Sequence, residues 1–294
     1  MQESLLFKLD KWINKYITEK KSLNYSNNTI MTYNTILESF YEYMIKYEDE
    51  IRFEDISKDI LLEYININKK LSNSSKHLRL TILKSFFKYI GNIEHNIDFE
   101  SRFSKLTIKK ETKEIESLLP EEVERLLALF DKSSNSFNFI RDKLIVYILL
   151  FSGIRANELL NLKFSDIVEV EDDIYRLLIK GKGDKQRYEY IKKEKIFKEL
   201  EYMKQFNTDF IAISNRKNLM TRVGLYNIVT SKLKKANIDK KGVHILRHTF
   251  AKILVANNVN LSTIKDLLGH ENISTTMIYA KSNEENKIAA IGLL

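Results

Sequence analysis

The 294-residue chain contains no cysteine, which excludes disulfides, thiolate metal sites and a cysteine nucleophile together. It has a single proline and eight glycines, so helical periodicity is seldom forced to break. No apolar run approaches the roughly 20 residues that cross a bilayer. The opening "MQESLLFKLDKW" carries acids and no small-residue cleavage site, so no signal peptide is expected and a cytoplasmic location is. What the chain does have is 44% hydrophobic and 30% charged residues, the balance of a globular protein rather than a disordered one. Lysine and arginine number 48 against 40 acids, a net charge of +8. An anionic partner is the first expectation, although interspersed charges also fit an ordinary solvated surface.

Residues 1–107 read as helices throughout. "LLFKLDKWINKYITEK" places Leu5, Leu9, Trp12, Ile13 and Tyr16 at helical spacing. "SNNTIMTYNTILESFYEYMIK" opens with cap-type residues and then sets Ile30, Tyr33, Ile36, Leu37, Phe40 and Met44 on one face. A third helix, capped by Ser57, fits "SKDILLEYININKK"; a fourth, "SSKHLRLTILKSFFKYI", is expected to end at Gly91. Four or five such helices make a self-sufficient bundle. Residues 108–117 read as a polar linker, whose lysines either track a phosphate backbone or are simply solvated. Pro120 then suits the first turn of a helix, with Glu121 and Glu122 at its positive end. In residues 118–294 a buried helix, "RDKLIVYILLFSG", precedes three β-compatible runs, "DIVEV", "DIYRLLIKG" and "KQRYEYI", after which helices resume. The expected fold is therefore mainly α with a small antiparallel β-sheet, in two domains.

Four segments of the second domain carry unusual chemistry. In "SGIRANELLNLKFSDI" Arg155 projects where one helix has ended and another begins, with Glu158 three residues on. That is an anion site or a surface Arg–Glu pair. In "IKGKGDKQR" Lys182 lies between glycines at a hairpin tip, with the wrong spacing for a nucleotide-triphosphatase loop. In "HILRHTF" His244, Arg247 and His248 form a patch at i, i+3 and i+4. No glutamate follows His244 and no third ligand is near, so no metal is expected. A core role for His248, donating to a backbone carbonyl, is the expectation there. In "LLGHENISTTMIYAKS" His270 follows a helix-ending glycine, and Ser274 or Thr275 can cap a short helix carrying Tyr279. A tyrosine on a helix is most often core packing, but few large apolar neighbours adjoin this one in sequence, so an exposed ring is the other expectation.

Taken together, two arginines, a lysine and two histidines can surround one phosphodiester while a tyrosine attacks it, with no carboxylate cluster and hence no required magnesium. The order Arg, Lys, His-x-x-Arg, His, Tyr, with the wording "SGIRANELLNLKFSDI", "GKGDKQR", "HILRHTFAKIL" and "LLGHENISTTMIY", resembles the tyrosine recombinase (phage integrase) family, in its Xer-like form. The resemblance is strong from residue 118 to about 281 and looser over the N-terminal helices, which look like the family's core-binding domain. It departs at "KGVH" and "YEYI", where the family often has proline.

The resemblance implies that Tyr279 attacks the scissile phosphate, leaving a 3′-phosphotyrosyl link and a free 5′-hydroxyl. It implies that Arg155 and Arg247 hold the non-bridging oxygens and that Lys182 protonates the leaving oxygen. His244 would assist proton removal from the tyrosine, His270 would donate to a phosphate oxygen, and Glu158 would support the first arginine. No cofactor is implied, because the covalent link conserves the phosphodiester energy. The implied partner is double-stranded DNA with a specific site, bound by a homotetramer across two sites, with a partner recombinase or accessory protein as an option and no membrane. The resemblance places Arg222 at a base edge, Lys232 and Lys235 on phosphates, and Thr29, Lys76, Arg79 and Lys84 on a DNA-facing surface of the first domain; each is otherwise a solvated residue. The apolar tail "NKIAAIGLL" is expected either to pass Ile288, Ile291, Leu293 and Leu294 to a neighbouring protomer, as an exchange segment from about 284 to 294, or to pack in cis. Chromosome-dimer resolution and mobile-element integration or excision both fit. A binding protein without strand exchange and a type IB topoisomerase-like enzyme are the alternatives.

Overall fold

A computed structural model of the chain describes residues 3–94, 97–109, 115–131, 134–171, 173–181, 186–206 and 208–279. The chain divides into two compact units, Met1–Lys113 and Glu114–Leu294.

The first unit is all helical: α1 (Leu5–Ser22), α2 (Asn27–Met44), α3 (Lys58–Asn66), α4 (Asn73–Ile93) and α5 (Phe99–Ser104). Serine side chains at Ser4, Ser26, Ser57 and Ser72 each accept a backbone N–H at the start of α1 to α4, satisfying donors that would otherwise be orphaned. Two expectations are corrected. Helix α4 runs through Gly91 to Ile93, and α3 stops at Asn66, whose side chain donates back to the Leu62 carbonyl. The core is unusually aromatic: Tyr16, Phe40, Tyr64, Phe86, Phe87, Phe99 and Phe103 are all at most 1% exposed. Ring pairs such as Phe87–Phe99, at 4.8 Å, add directional contacts to the area buried. The phenols of the two most deeply buried tyrosines are satisfied, Tyr16 donating to Ser85 Oγ at 2.7 Å and Tyr64 to the Ile36 carbonyl at 3.1 Å.

The second unit comprises α6 (Pro120–Ala128), α7 (Phe137–Ser152), α8 (Ala156–Asn161), strands β1 (Ile167–Glu171), β2 (Ile174–Lys180) and β3 (Gln186–Lys192), then α9 (Lys193–Lys204), α10 (Arg222–Lys235), α11 (His244–Ala256), α12 (Leu261–Leu268) and the short α13 (Ser274–Met277). The mainly α class and its small antiparallel sheet, in the order β1-β2-β3, are as the sequence predicts. Helix α7 is buried on most sides, with Leu144, Ile145, Val146, Ile148, Leu149 and Leu150 in one core with β2, β3, α9 and α10. Helices α11 and α12 meet over a smaller cluster of Ala251, Ile264 and Leu268. Among the described residues no helix is long and apolar enough to cross a membrane.

Candidate active site

The site is built at the ends of helices. Helix α7 closes on Gly153, which is left-handed at φ +63°; a Cβ there would lie 2.3 Å from the Phe250 ring. Only glycine meets both demands. The turn delivers Arg155 to the N-cap of α8. Glu158 then accepts the Arg155 backbone N–H at 2.6 Å and its Nη1 at 2.9 Å, while Arg155 Nη2 donates to the Gly269 carbonyl at 2.9 Å. From α11, Arg247 is 4% exposed and donates to the Gly153 carbonyl at 2.6 Å and to the Leu268 carbonyl. The adjacent carbonyls of Leu268 and Gly269, at the negative C-terminal end of α12, thus hold the two guanidiniums side by side.

These cations are only partly neutralised. Burial first, and then Arg155, pulls the Arg247 guanidinium down to about 10. Burial and the surrounding cations also hold all three nearby imidazoles below their ordinary range: His244 is lowered, and His248 and His270 fall to about 4. At neutral pH these imidazoles are therefore uncharged, in a positive field that an incoming phosphodiester would relieve. His270 Nδ1 lies 2.9 Å from Thr276 Oγ1, and His244 is exposed at the start of α11.

Tyr279 departs from expectation. It is 7% exposed, and it packs with Ala251, Ile264 and Leu268. It follows α13 rather than riding on it, and Asn272 Oδ1, not Ser274 or Thr275, accepts a backbone N–H at the start of that helix, from Ser274 at 2.9 Å. Neighbours in sequence misled here because the apolar cover comes from α11 and α12. His248 is also corrected: its Nδ1 lies 2.6 Å from the Tyr279 hydroxyl instead of serving a backbone carbonyl. In the tautomer protonated at Nε2, the neutral imidazole accepts a hydrogen bond from the phenol. Burial raises the Tyr279 pKa, and Arg247 opposes the rise.

The remaining predicted positions divide. Lys182 and the tail residues Ile288, Ile291, Leu293 and Leu294 lie outside the described residues, although the strands flanking Lys182 pair as far as Lys180 with Gln186. Arg222 is exposed in the first turn of α10, close enough to His244 to depress its pKa, and Lys235 is exposed at the end of that helix. Lys232, by contrast, is committed to Asp142 at 2.9 Å. In the first unit Thr29 joins the Ser26 cap at 2.8 Å and Lys76 reaches Asn66 at 2.9 Å. Arg79 lies over the Tyr64 ring, and Lys84 donates to the Ser104 and Leu106 carbonyls. Among the described residues no group of acids and histidines is gathered that could hold a metal ion.

Two residues at the site escaped the sequence reading. Arg187 on β3 forks onto Glu158, with Nη1–Oε1 at 2.8 Å and Nη2–Oε2 at 2.9 Å, and its Nε donates to Glu189 Oε1 at 2.8 Å. Glu189 is completely buried. The signal was present in strand alternation: Arg187 and Glu189 share a face with buried Ile191, so two opposite charges were pointed at the core.

Known proteins share this sequence pattern and this fold. The model of the phage integrase family matches residues 116–286. The tyrosine recombinase XerH of Campylobacter jejuni is 31% identical over 92% of this chain and 80% of its own length. The tyrosine recombinase XerC of Leptospira interrogans is 28% identical over 96% of this chain and 91% of its own. Among solved structures, XerH bound to its difH substrate in a pre-cleavage complex superposes with a TM-score of 0.80 at 25% identity, covering 99% of this chain and 97% of that one. The chain belongs to the phage integrase family, as a Xer-like tyrosine recombinase, an enzyme of site-specific DNA recombination.

Proposed function

We propose that Tyr279, Arg155, Lys182, His244, Arg247 and His270 carry the cleavage chemistry, with Glu158 supporting Arg155. The observation that bears most weight is the pairing of the Arg155 and Arg247 guanidiniums on adjacent carbonyls of one turn. Two fixed forks there suit the non-bridging oxygens of one phosphodiester and the charge that grows on them in the transition state. The Tyr279 oxygen attacks phosphorus, the P–O5′ bond breaks, and Lys182 supplies the proton to the departing 5′-oxygen. The phenol's raised pKa makes a proton acceptor necessary at neutral pH. His248 holds the hydroxyl in the present conformation, and His244 takes up that task when DNA is engaged. His270 donates from Nε2 to a phosphate oxygen, which requires the Thr276 hydroxyl to donate to Nδ1.

In this reading the first unit is the core-binding domain, residues 108–117 link it to a catalytic domain of residues 118–294, and each binds double-stranded DNA carrying a specific site. Arg222, at the exposed start of α10, reads a base edge, and Lys235 lies on a phosphate. Four protomers act on two sites, each passing its segment from about 284 to 294 to a neighbour. The chain works in the cytoplasm, in chromosome-dimer resolution or on a mobile element.

The test is covalent capture. Nicked duplexes drawn from a randomised pool are incubated with the full chain and analysed on denaturing gels. A protein–DNA adduct with wild type that is absent with Tyr279→Phe is expected. Tight binding without any adduct would sink the cleavage reading and leave a DNA-binding protein.

A further inference from the structure

Arg187 links α8, through Glu158, to the turn after α12, through Gly269. Its fork fills both oxygens of Glu158, the same two oxygens that hold the Arg155 backbone N–H and guanidinium. Its Nε and Cδ lie against Gly269, so tightly that a Cβ added there would come within 2.7 Å of Nε. Gly269 is the residue whose carbonyl receives Arg155 and which immediately precedes His270. From below, Glu189 pins Arg187 through Nε; the other Glu189 oxygen has no hydrogen-bond partner among the described residues. Glu189 is bonded to β3's partner strand opposite Leu177, and Arg187 opposite Ile179, so both arise from a rigid ladder rather than a loop.

An arginine held this way costs stability elsewhere. Burying Glu189 beside a cation that is shared with a second acid is unfavourable, and burial pushes its carboxyl up to about 8 despite Arg187. A hydrophobic residue at 189 would pack against Leu177 and Ile191 without that cost. A polar acid kept there, accepting from Arg187 Nε at 2.8 Å, points to a geometric task.

We propose that Arg187 is a positioning residue for DNA cleavage, anchored by Glu189, which sets the guanidinium of Arg155 through Glu158 and the His270 turn through Gly269. This rests on the cleavage function proposed above. Misplacing catalytic groups by about an ångström costs on the order of 100-fold in rate, whereas the DNA contacts themselves remain.

The experiment uses the full chain and the nicked duplexes that wild type captures. Arg187→Met strands two buried acids, so the Arg187→Met, Glu189→Leu double variant, which removes one of them, accompanies it together with Arg187→Lys. Expected is an adduct rate about 100-fold below wild type in the double variant, with DNA affinity within about threefold. Lysine keeps the charge and loses the fork, so Arg187→Lys falls between, at roughly a tenfold loss. A double variant that cleaves at the wild-type rate would overturn the proposal, and so would a rate loss matched by an equal loss of affinity. A second measurement reads the positioning without cleavage: guanidinium rotation of Arg155, followed by NMR as exchange between its two Nη groups. Slow rotation in wild type and fast rotation in the double variant is expected; identical rotation in both would overturn the claim. If wild type captures no DNA, the cleavage reading fails while this rotation still decides whether Arg187 positions Arg155.

Discussion

At the scale of the residue, the site contains two carboxyls that respond to pH in opposite directions. Burial opposes the charge of Glu158, but bonds from Arg187 and Arg155 outweigh it and hold the carboxyl at about 2. The folded chain therefore binds fewer protons at Glu158 than the unfolded one, and the resulting stability is present above the ordinary carboxylate range and lost as pH falls toward 2. Glu189, pushed up to about 8, does the reverse: between the ordinary range and 8 the folded chain binds more protons, so stability falls as pH rises. Each effect is on the order of a few kcal/mol, hence roughly 5–10 °C in thermal midpoint. Melting curves should show Glu189→Gln gaining on wild type from pH 5 to pH 8.5. Glu158→Gln should melt below wild type at pH 6, and that gap should narrow toward pH 3. Parallel curves at all pH values would contradict both assignments. The sequence showed Glu158 clearly, because its partner stands three residues away. It showed Arg187 and Glu189 only as an oddity of strand alternation, because their partners come from α8 and the α12 turn.

At the scale of the element, helix ends do most of the positioning. The carbonyl of Gly153 receives Arg247 and those of Leu268 and Gly269 receive Arg247 and Arg155, so helix termination and cation placement are one event. Gly153→Ala should therefore harm more than α7. The left-handed backbone alone costs about 1–2 kcal/mol in a residue with a side chain, and the Phe250 ring must also move. A fall of roughly 5 °C or more in thermal midpoint is expected, together with slower adduct formation because the Arg247 acceptor shifts. An unchanged midpoint would show that the turn can adopt another conformation. The glycine stops at Gly153 and Gly269, the caps of α2 and α3 and the proline start of α6 were legible, since each is chemistry local to a few residues. The premature end of α3 and the passage of α4 through Gly91 were not: neither glycine nor proline marks the end of α3, and Gly91 does not take the left-handed backbone of a stop.

At the scale of the whole molecule, each unit carries its own core, aromatic in the first and aliphatic around α7 in the second. The assembly proposed for the chain places its apolar tail on a neighbouring protomer. Deleting residues 284–294 should then weaken pairing of two DNA sites more than binding to one, as read by native gels of one-site and two-site complexes. Equal losses would favour a tail that packs on its own protomer.

Periodicity, caps and turn glycines are properties of adjacent residues, and the sequence by itself determined the helices, the small sheet and the order of the arginines, histidines and tyrosine. Family membership followed from that order and spacing. The tertiary structure alone decided which of those groups meet. Tyr279 is buried because α11 and α12 close over it, and its hydroxyl reaches His248 across 31 positions of chain. Arg155 and Arg247 stand together because one helix end offers both of them a carbonyl. Burial and distance between remote residues are set only when the chain has closed on itself, and with them come the field and the pKa values of the site.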